Sequence, residues 1–114
     1  MKILITESKL EKAAINWLNK KYGDLEPFET RKYPDYIFYR QGNEIIFDYN
    51  KKNGNVYVNY DEIWSFFESF FGMNYQQIQD LTKVWVEERY NLRVTTTSFD
   101  FPIAVVIRWR NVTI

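Results

Sequence analysis

Apolar positions fall at helical spacing in three stretches of the chain and alternate like strands in three more, with turn residues between them. Met1-Lys-Ile-Leu-Ile5 reads as a short strand. Ser8 and Glu11 then match a capping box, in which each side chain satisfies an orphan backbone N–H at a helix start. Leu10, Ala14, Trp17, Leu18 and Lys21 fall on one stripe, and Gly23 is the expected left-handed stop. Asp24 to Pro34 has no period, and Pro27 and Pro34 predict a loop.

Tyr36 to Arg40, Glu44 to Tyr49 and Asn55 to Tyr60 are rich in aromatic and β-branched residues, and the residues between them have turn chemistry, with Asn53-Gly54 the strongest hairpin signal. An antiparallel three-stranded meander follows. Centring the first turn on Gly42 pairs Arg40 with Glu44, Phe38 with Ile46 and Tyr36 with Asp48. One face then carries Ile37, Tyr39, Ile45, Phe47, Tyr49, Val56, Val58 and Tyr60, which reads as core. The other carries Tyr36, Phe38, Arg40, Glu44, Ile46, Asp48, Tyr57 and Asn59, a mixture suited to a surface that contacts something.

Asn59 with Glu62 predicts a second helix start, and Ile63, Trp64, Phe66, Phe67, Phe70 and Phe71 make that helix apolar over more than half its circumference. This predicts core, buried on two sides. Any of Trp64, Phe66 or Phe70 left exposed would instead mark a homodimer or partner interface. Asn74 with Gln77 is another capping box, opening a third helix to about Tyr90 with Ile78, Leu81, Val84, Trp85 and Leu92 on its inner stripe. The Thr-rich run from Arg93 to Ser98 reads as an exposed extended edge open to another strand, and Ile103 to Trp109 as the last strand. The expected fold is α+β in the order β-α-β-β-β-α-α-β: a three-stranded meander plus a C-terminal strand, packed by about three helices.

Composition fits one domain spanning residues 1–114, with 46% apolar and 26% charged residues. Four Trp, nine Tyr and nine Phe supply an aromatic load large enough to build a core in so short a chain. Fifteen basic and fifteen acidic residues cancel, so no global field steers the protein toward nucleic acid or anionic lipid. The absence of His and Cys removes Ser-His-Asp and Cys-His catalysis, thiol chemistry and His- or Cys-ligated metals. No cofactor is expected. With no signal-peptide pattern and no apolar run of membrane-spanning length, a cytoplasmic location is the expectation.

One pattern resembles enzyme chemistry. Pro34-Asp35 and Asp48-Tyr-Asn-Lys51 resemble the Pro-Asp and Asp/Glu-x-Lys signature of restriction-type nucleases, in which two carboxylates hold a divalent cation and a lysine assists the attacking water. That family has one residue between acid and lysine, which places both on one strand face. Two stand here, so Asp48 and Lys51 point apart and no enzyme is expected. The second candidate is the mixed sheet face, where Tyr36, Phe38, Arg40, Asp48, Tyr57 and Asn59 form the predicted binding surface, unless the helix pair covers this face and makes its aromatics core. Its aromatics would suit stacking of unpaired bases, but Glu44 and Asp48 oppose a phosphate track, so a protein partner or self-association fits better.

Asn16-Trp-Leu-Asn-Lys20, Lys32-Tyr-Pro-Asp-Tyr36, Tyr49-Asn-Lys-Lys-Asn-Gly54, Ile63-Trp64-Ser65 and Leu92-Arg-Val-Thr-Thr-Thr97 resemble small proteins encoded by marine bacteriophages. The resemblance implies a setting, an accessory protein made in a bacterial cytoplasm, and brings no activity or functional residues. A non-catalytic protein acting through protein contacts is the leading expectation.

Overall fold

The computed structural model describes residues 7–58 and 61–99. The expected strands Met1–Ile5 and Ile103–Trp109, and the candidate residue Asn59, lie outside them. The described order is α1 (Glu7–Tyr22), β1 (Glu26–Phe28), β2 (Tyr36–Gln41), β3 (Glu44–Asn50), β4 (Asn55–Val58), α2 (Asp61–Phe71), α3 (Tyr75–Tyr90) and β5 (Thr96–Phe99). The strands form one five-stranded sheet in chain order, antiparallel from β1 to β4, with β5 parallel to β4. A parallel neighbour needs a crossover, which α2 and α3 supply. The α+β class, the meander and the three helices are as the pattern predicts.

β2 and β3 are joined by a two-residue loop, so Gln41 pairs with Glu44 and Arg40 with Ile45. That register would turn Phe38 and Asp48 to opposite faces. A bulge between Tyr39 and Arg40 adds Ile46 as an extra residue, and beyond it Tyr39 pairs with Phe47, Phe38 with Asp48 and Tyr36 with Asn50. The predicted pairs therefore shift, but Phe38 and Asp48 stay on one face. Ile46 is the casualty of the expected register: it is fully buried in the core cluster, not on the mixed face.

At the next hairpin the Asn50 side chain accepts from the Lys52 N–H at 2.9 Å, and the Gly54 N–H reaches the Asn50 carbonyl at 2.8 Å. Gly54 sits at φ +77, where an added Cβ would lie 2.6 Å from Thr95 Oγ1 and 3.0 Å from the Arg93 carbonyl oxygen. Both the left-handed backbone and the crowding oppose a side chain. Gly54→Ala is expected to lower stability by about 1–3 kcal/mol, read by denaturant unfolding, whereas a surface turn would lose only tenths.

Two segments outside the predicted meander are strands of the sheet. β1 forms at the sheet edge around Pro27, where the missing N–H interrupts no interior ladder. β5 forms in the Thr-rich run, and Thr97 is buried. Its hydroxyl donates to the Gln79 carbonyl at 2.7 Å while Gln79 Nε2 donates to the Thr97 carbonyl at 2.8 Å, fastening β5 to α3. Only Thr96 and its exposed neighbours fit the expected open edge.

The helices pack on the sheet face that bears Tyr39, Phe47, Val56 and Val58, meeting Ala14 and Leu18 of α1, Ile63 and Phe67 of α2, and Ile78, Trp85 and Val86 of α3. α3 starts with the predicted reciprocal capping box, Asn74 Oδ1 accepting from the Gln77 N–H at 2.9 Å and Gln77 Oε1 from the Asn74 N–H at 2.9 Å. α1 ends after Tyr22 as predicted but departs from prediction at its start and in the manner of its stop. It begins at Glu7, so Ser8 lies inside the helix, and Gly23 is not left-handed. Gly23 is needed for space, since a Cβ there would stand 2.2 Å from the Asn19 carbonyl oxygen. The last carbonyls of α1 are capped from α3: Arg89 Nε donates to Gly23 O at 2.8 Å and the Tyr90 hydroxyl donates to Tyr22 O.

The same Tyr90 oxygen accepts from the Leu25 N–H at 3.1 Å. Burial pushes the Tyr90 phenol from its ordinary 10.0 up to about 12, against the smaller lowering effects of the Leu25 N–H and Arg89. The fold thus favours the neutral phenol. Its contribution is present in full below pH 10.0 and is lost as the pH rises toward about 12, because the unfolded chain releases this proton first. Urea unfolding across that interval should show stability falling more steeply in the wild type than in Tyr90→Phe, and equal slopes would contradict it.

Candidate functional site

The mixed sheet face is largely closed. Phe38 is 0% exposed and Asp48 is 1% exposed, so neither presents a surface to a ligand. This corrects their assignment to an open binding face. Phe38 is covered by aromatic neighbours: Phe28 stacks on it with centroids 5.2 Å apart, Tyr36 lies at 6.1 Å, and Tyr33 meets it edge-on at 6.2 Å. Two of these come from the Asp24–Pro34 stretch, whose folding back over β2 no periodicity announced. Tyr36, Arg40 and Tyr57 are half-buried. Arg40 reaches along the sheet to Glu26 at 3.0 Å, its guanidinium 5.6 Å from the Phe28 ring. A stacking platform needs open ring faces, and the central ring here is already stacked.

The nuclease-like residues do not converge. The Lys51 N–H donates to the Asp35 carbonyl at 2.8 Å, which aligns the backbones, but the side chains take other partners. Asp35 pairs with Lys52 at 3.4 Å and Lys51 with Glu29, while Asp48 lies buried between Phe38 on β2 and Tyr57 on β4. Among the described residues no group of three or more acidic side chains is placed to hold a metal ion.

The open aromatic surface is on α2. Ile63 and Phe67, one turn apart, are buried, and they define the face that α2 turns to the core. Phe66 and Phe70, also one turn apart, fall on the flank. Trp17 of α1 stacks on Phe66 with centroids 4.1 Å apart and planes 2° from parallel, and Phe66 stacks on Phe70 at 5.0 Å and 10°. The ladder ends in water, because Phe70 is 74% exposed. The expectation that this helix is core on two sides therefore holds for one face only. Lys21 lies 5.5 Å from the Trp17 ring and pairs with Glu62 at 3.2 Å, bordering the ladder on its α1 side.

Around the C-terminal end of α2, a cavity of about 320 Å³ opens between α1 and α3. Leu10 and Ile15 of α1, Phe71 and Met73 at the α2–α3 joint, and Leu81 and Val84 of α3 give it apolar walls. Val84, placed on the inner stripe by periodicity, is 41% exposed there. The Phe71 ring meets Phe70 edge-on at 5.2 Å, so the cavity and the ladder are continuous. Nothing in α2's own sequence separates its inner from its outer aromatics. The signal was the second i, i+4 pair, Phe66 and Phe70, left over once Ile63 and Phe67 occupy the buried side.

No family model, curated protein or solved structure matches this chain. Among the described residues, no helix is long and apolar enough to cross a membrane.

Proposed function

We propose that the protein is a non-catalytic binding domain that works by protein–protein contact through the aromatic flank of α2. The observation that carries this reading is the Trp17–Phe66–Phe70 stack with its last ring 74% exposed. A phenylalanine held by stacking on a preordered ladder loses little conformational entropy when a partner covers it, and exposed apolar clusters of this kind mark association sites. The helix flank replaces the sheet face as the contact surface. The resemblance to phage-encoded proteins extends the reading to a partner in the bacterial cytoplasm.

The test is capture from nuclease-treated bacterial lysate on the immobilised domain, with free domain as competitor. One or more saturable partners, displaced by the free wild type, are expected. Recovery of none across plausible bacterial hosts, or recovery only where the nuclease is omitted, would overturn the proposal.

A further inference from the structure

The cavity beside the aromatic ladder says what kind of partner segment fits. Its volume, about 320 Å³, lies near the lower end of the roughly 300–1,000 Å³ of ligand pockets, room for an anchoring side chain or two rather than a large cofactor. Its charged lining residues are Glu11 and Asp80, and no Lys or Arg lines it. Asp80 Oδ1 accepts from Gln76 Nε2 at 2.9 Å, and Glu11 makes no ion pair among the described residues. α2 continues the same sign: its sequence, Asp-Glu-Ile-Trp-Ser-Phe-Phe-Glu-Ser-Phe-Phe, contains no basic residue. Of the three large apolar side chains most exposed among the described residues, Phe70 adjoins the cavity and Val84 lines it.

An apolar cleft with an acidic rim discriminates between occupants. A second copy of the chain docked through this same face would bring the rim carboxylates Glu11 and Asp80 against their own counterparts, and like charges brought together are unfavourable. A segment carrying Lys or Arg beside its apolar side chains meets opposite charge at the rim and fills the cleft. We infer that the surface takes a basic amphipathic segment of a partner protein, its aliphatic or aromatic anchor in the cavity between α1 and α3 and its Lys or Arg side chains against Glu11 and Asp80. This rests on the protein-contact reading above and specifies its partner. The mode is that of an amphipathic helix in a groove, with anchors read at helical spacing.

Two synthetic peptides of equal length with the same leucine face, one with lysine and one with glutamate on the polar face, are titrated calorimetrically against the full chain. The lysine peptide should bind, more weakly as salt rises, and the glutamate peptide roughly tenfold more weakly or worse. Glu11→Gln combined with Asp80→Asn preserves shape and should reduce affinity for the lysine peptide roughly fivefold, since exposed pairs are worth about 0.2–1 kcal/mol each. Glu44→Gln, at the far hairpin, should change nothing. Equal binding of both peptides, binding of neither, or an undiminished double variant would overturn the inference. Phe70→Asp separates the two levels. If the lysine peptide fails while lysate capture still depends on Phe70, only the basic segment is wrong; if capture ignores Phe70, the protein-contact reading itself is wrong.

Discussion

Trp85→Ala is expected to lower the stability of the domain by about 3–5 kcal/mol, a large share of the roughly 5–15 kcal/mol that holds a domain folded. Trp85 is buried where α1, α3 and the sheet meet, its indole edge-on to Phe47 at 6.1 Å and to Tyr90 at 5.7 Å. Its Nε1 donates to Asn19 Oδ1 at 2.9 Å. Alanine therefore opens a cavity and removes the donor that Asn19 accepts from. It also loosens the Tyr90 ring, whose hydroxyl caps the end of α1. Trp85→Phe keeps most of the volume and should cost about 1–3 kcal/mol, chiefly the lost hydrogen bond. Denaturant unfolding measures both. A loss under about 1 kcal/mol for the alanine variant would mean that the indole is not the joint between helices and sheet.

Phe70→Asp should do the reverse, leaving the fold almost unchanged and abolishing most binding. The ring projects into water, and among the described residues the rings it meets are those of Phe66 and Phe71 on the flank, so its loss should shift stability by no more than about 0.5 kcal/mol. In the complex we propose, the same ring is the aromatic at the centre of the contact. Truncating such a hot spot costs about 2 kcal/mol or more, roughly 30-fold in affinity, and a buried aspartate adds its own desolvation. Affinity for the captured partner, by calorimetry, together with thermal unfolding, decides the matter. Unchanged affinity would place the contact elsewhere, and a large drop in unfolding temperature would make Phe70 a core residue.

Local chemistry was legible wherever a few adjacent residues determine the outcome. Asn74 and Gln77 announce α3, and the cap forms in both directions. Gly72 stops α2 at φ +64 and Gly54 turns the β3–β4 hairpin at φ +77, as residues free of Cβ strain do. Alternation gave the face shared by Phe38, Asp48 and Tyr57 even though the pairing shifted, because the two-residue loop and the Ile46 bulge change the register by an even number of residues. What closes the end of α1 was not legible, although Gly23 marks its place, since Arg89 and Tyr90, far along the chain, cap it. Nor was the short strand through Pro27, which exists because β2 offers an edge to pair with.

The candidate site shows the same division. Which aromatics share a face follows from a period of two or 3.6 residues, but which face ends in water depends on what else covers it. Phe38 is covered by Phe28 and Tyr33 from a stretch without periodicity, while Phe70 stays open because α2 leans on the core through Ile63 and Phe67. Cover comes from tertiary packing, and so the surface moved from the sheet to the helix.

Hydroxyl-radical footprinting of the partner-bound and free domain tests the placement of the contact directly, because it reads side-chain exposure residue by residue. Binding through α2 predicts that Phe70, Phe66 and Val84 lose reactivity in the complex while Tyr36 and Tyr57 keep theirs. Protection of Tyr36 and Tyr57, with Phe70 as reactive as in the free domain, would contradict it.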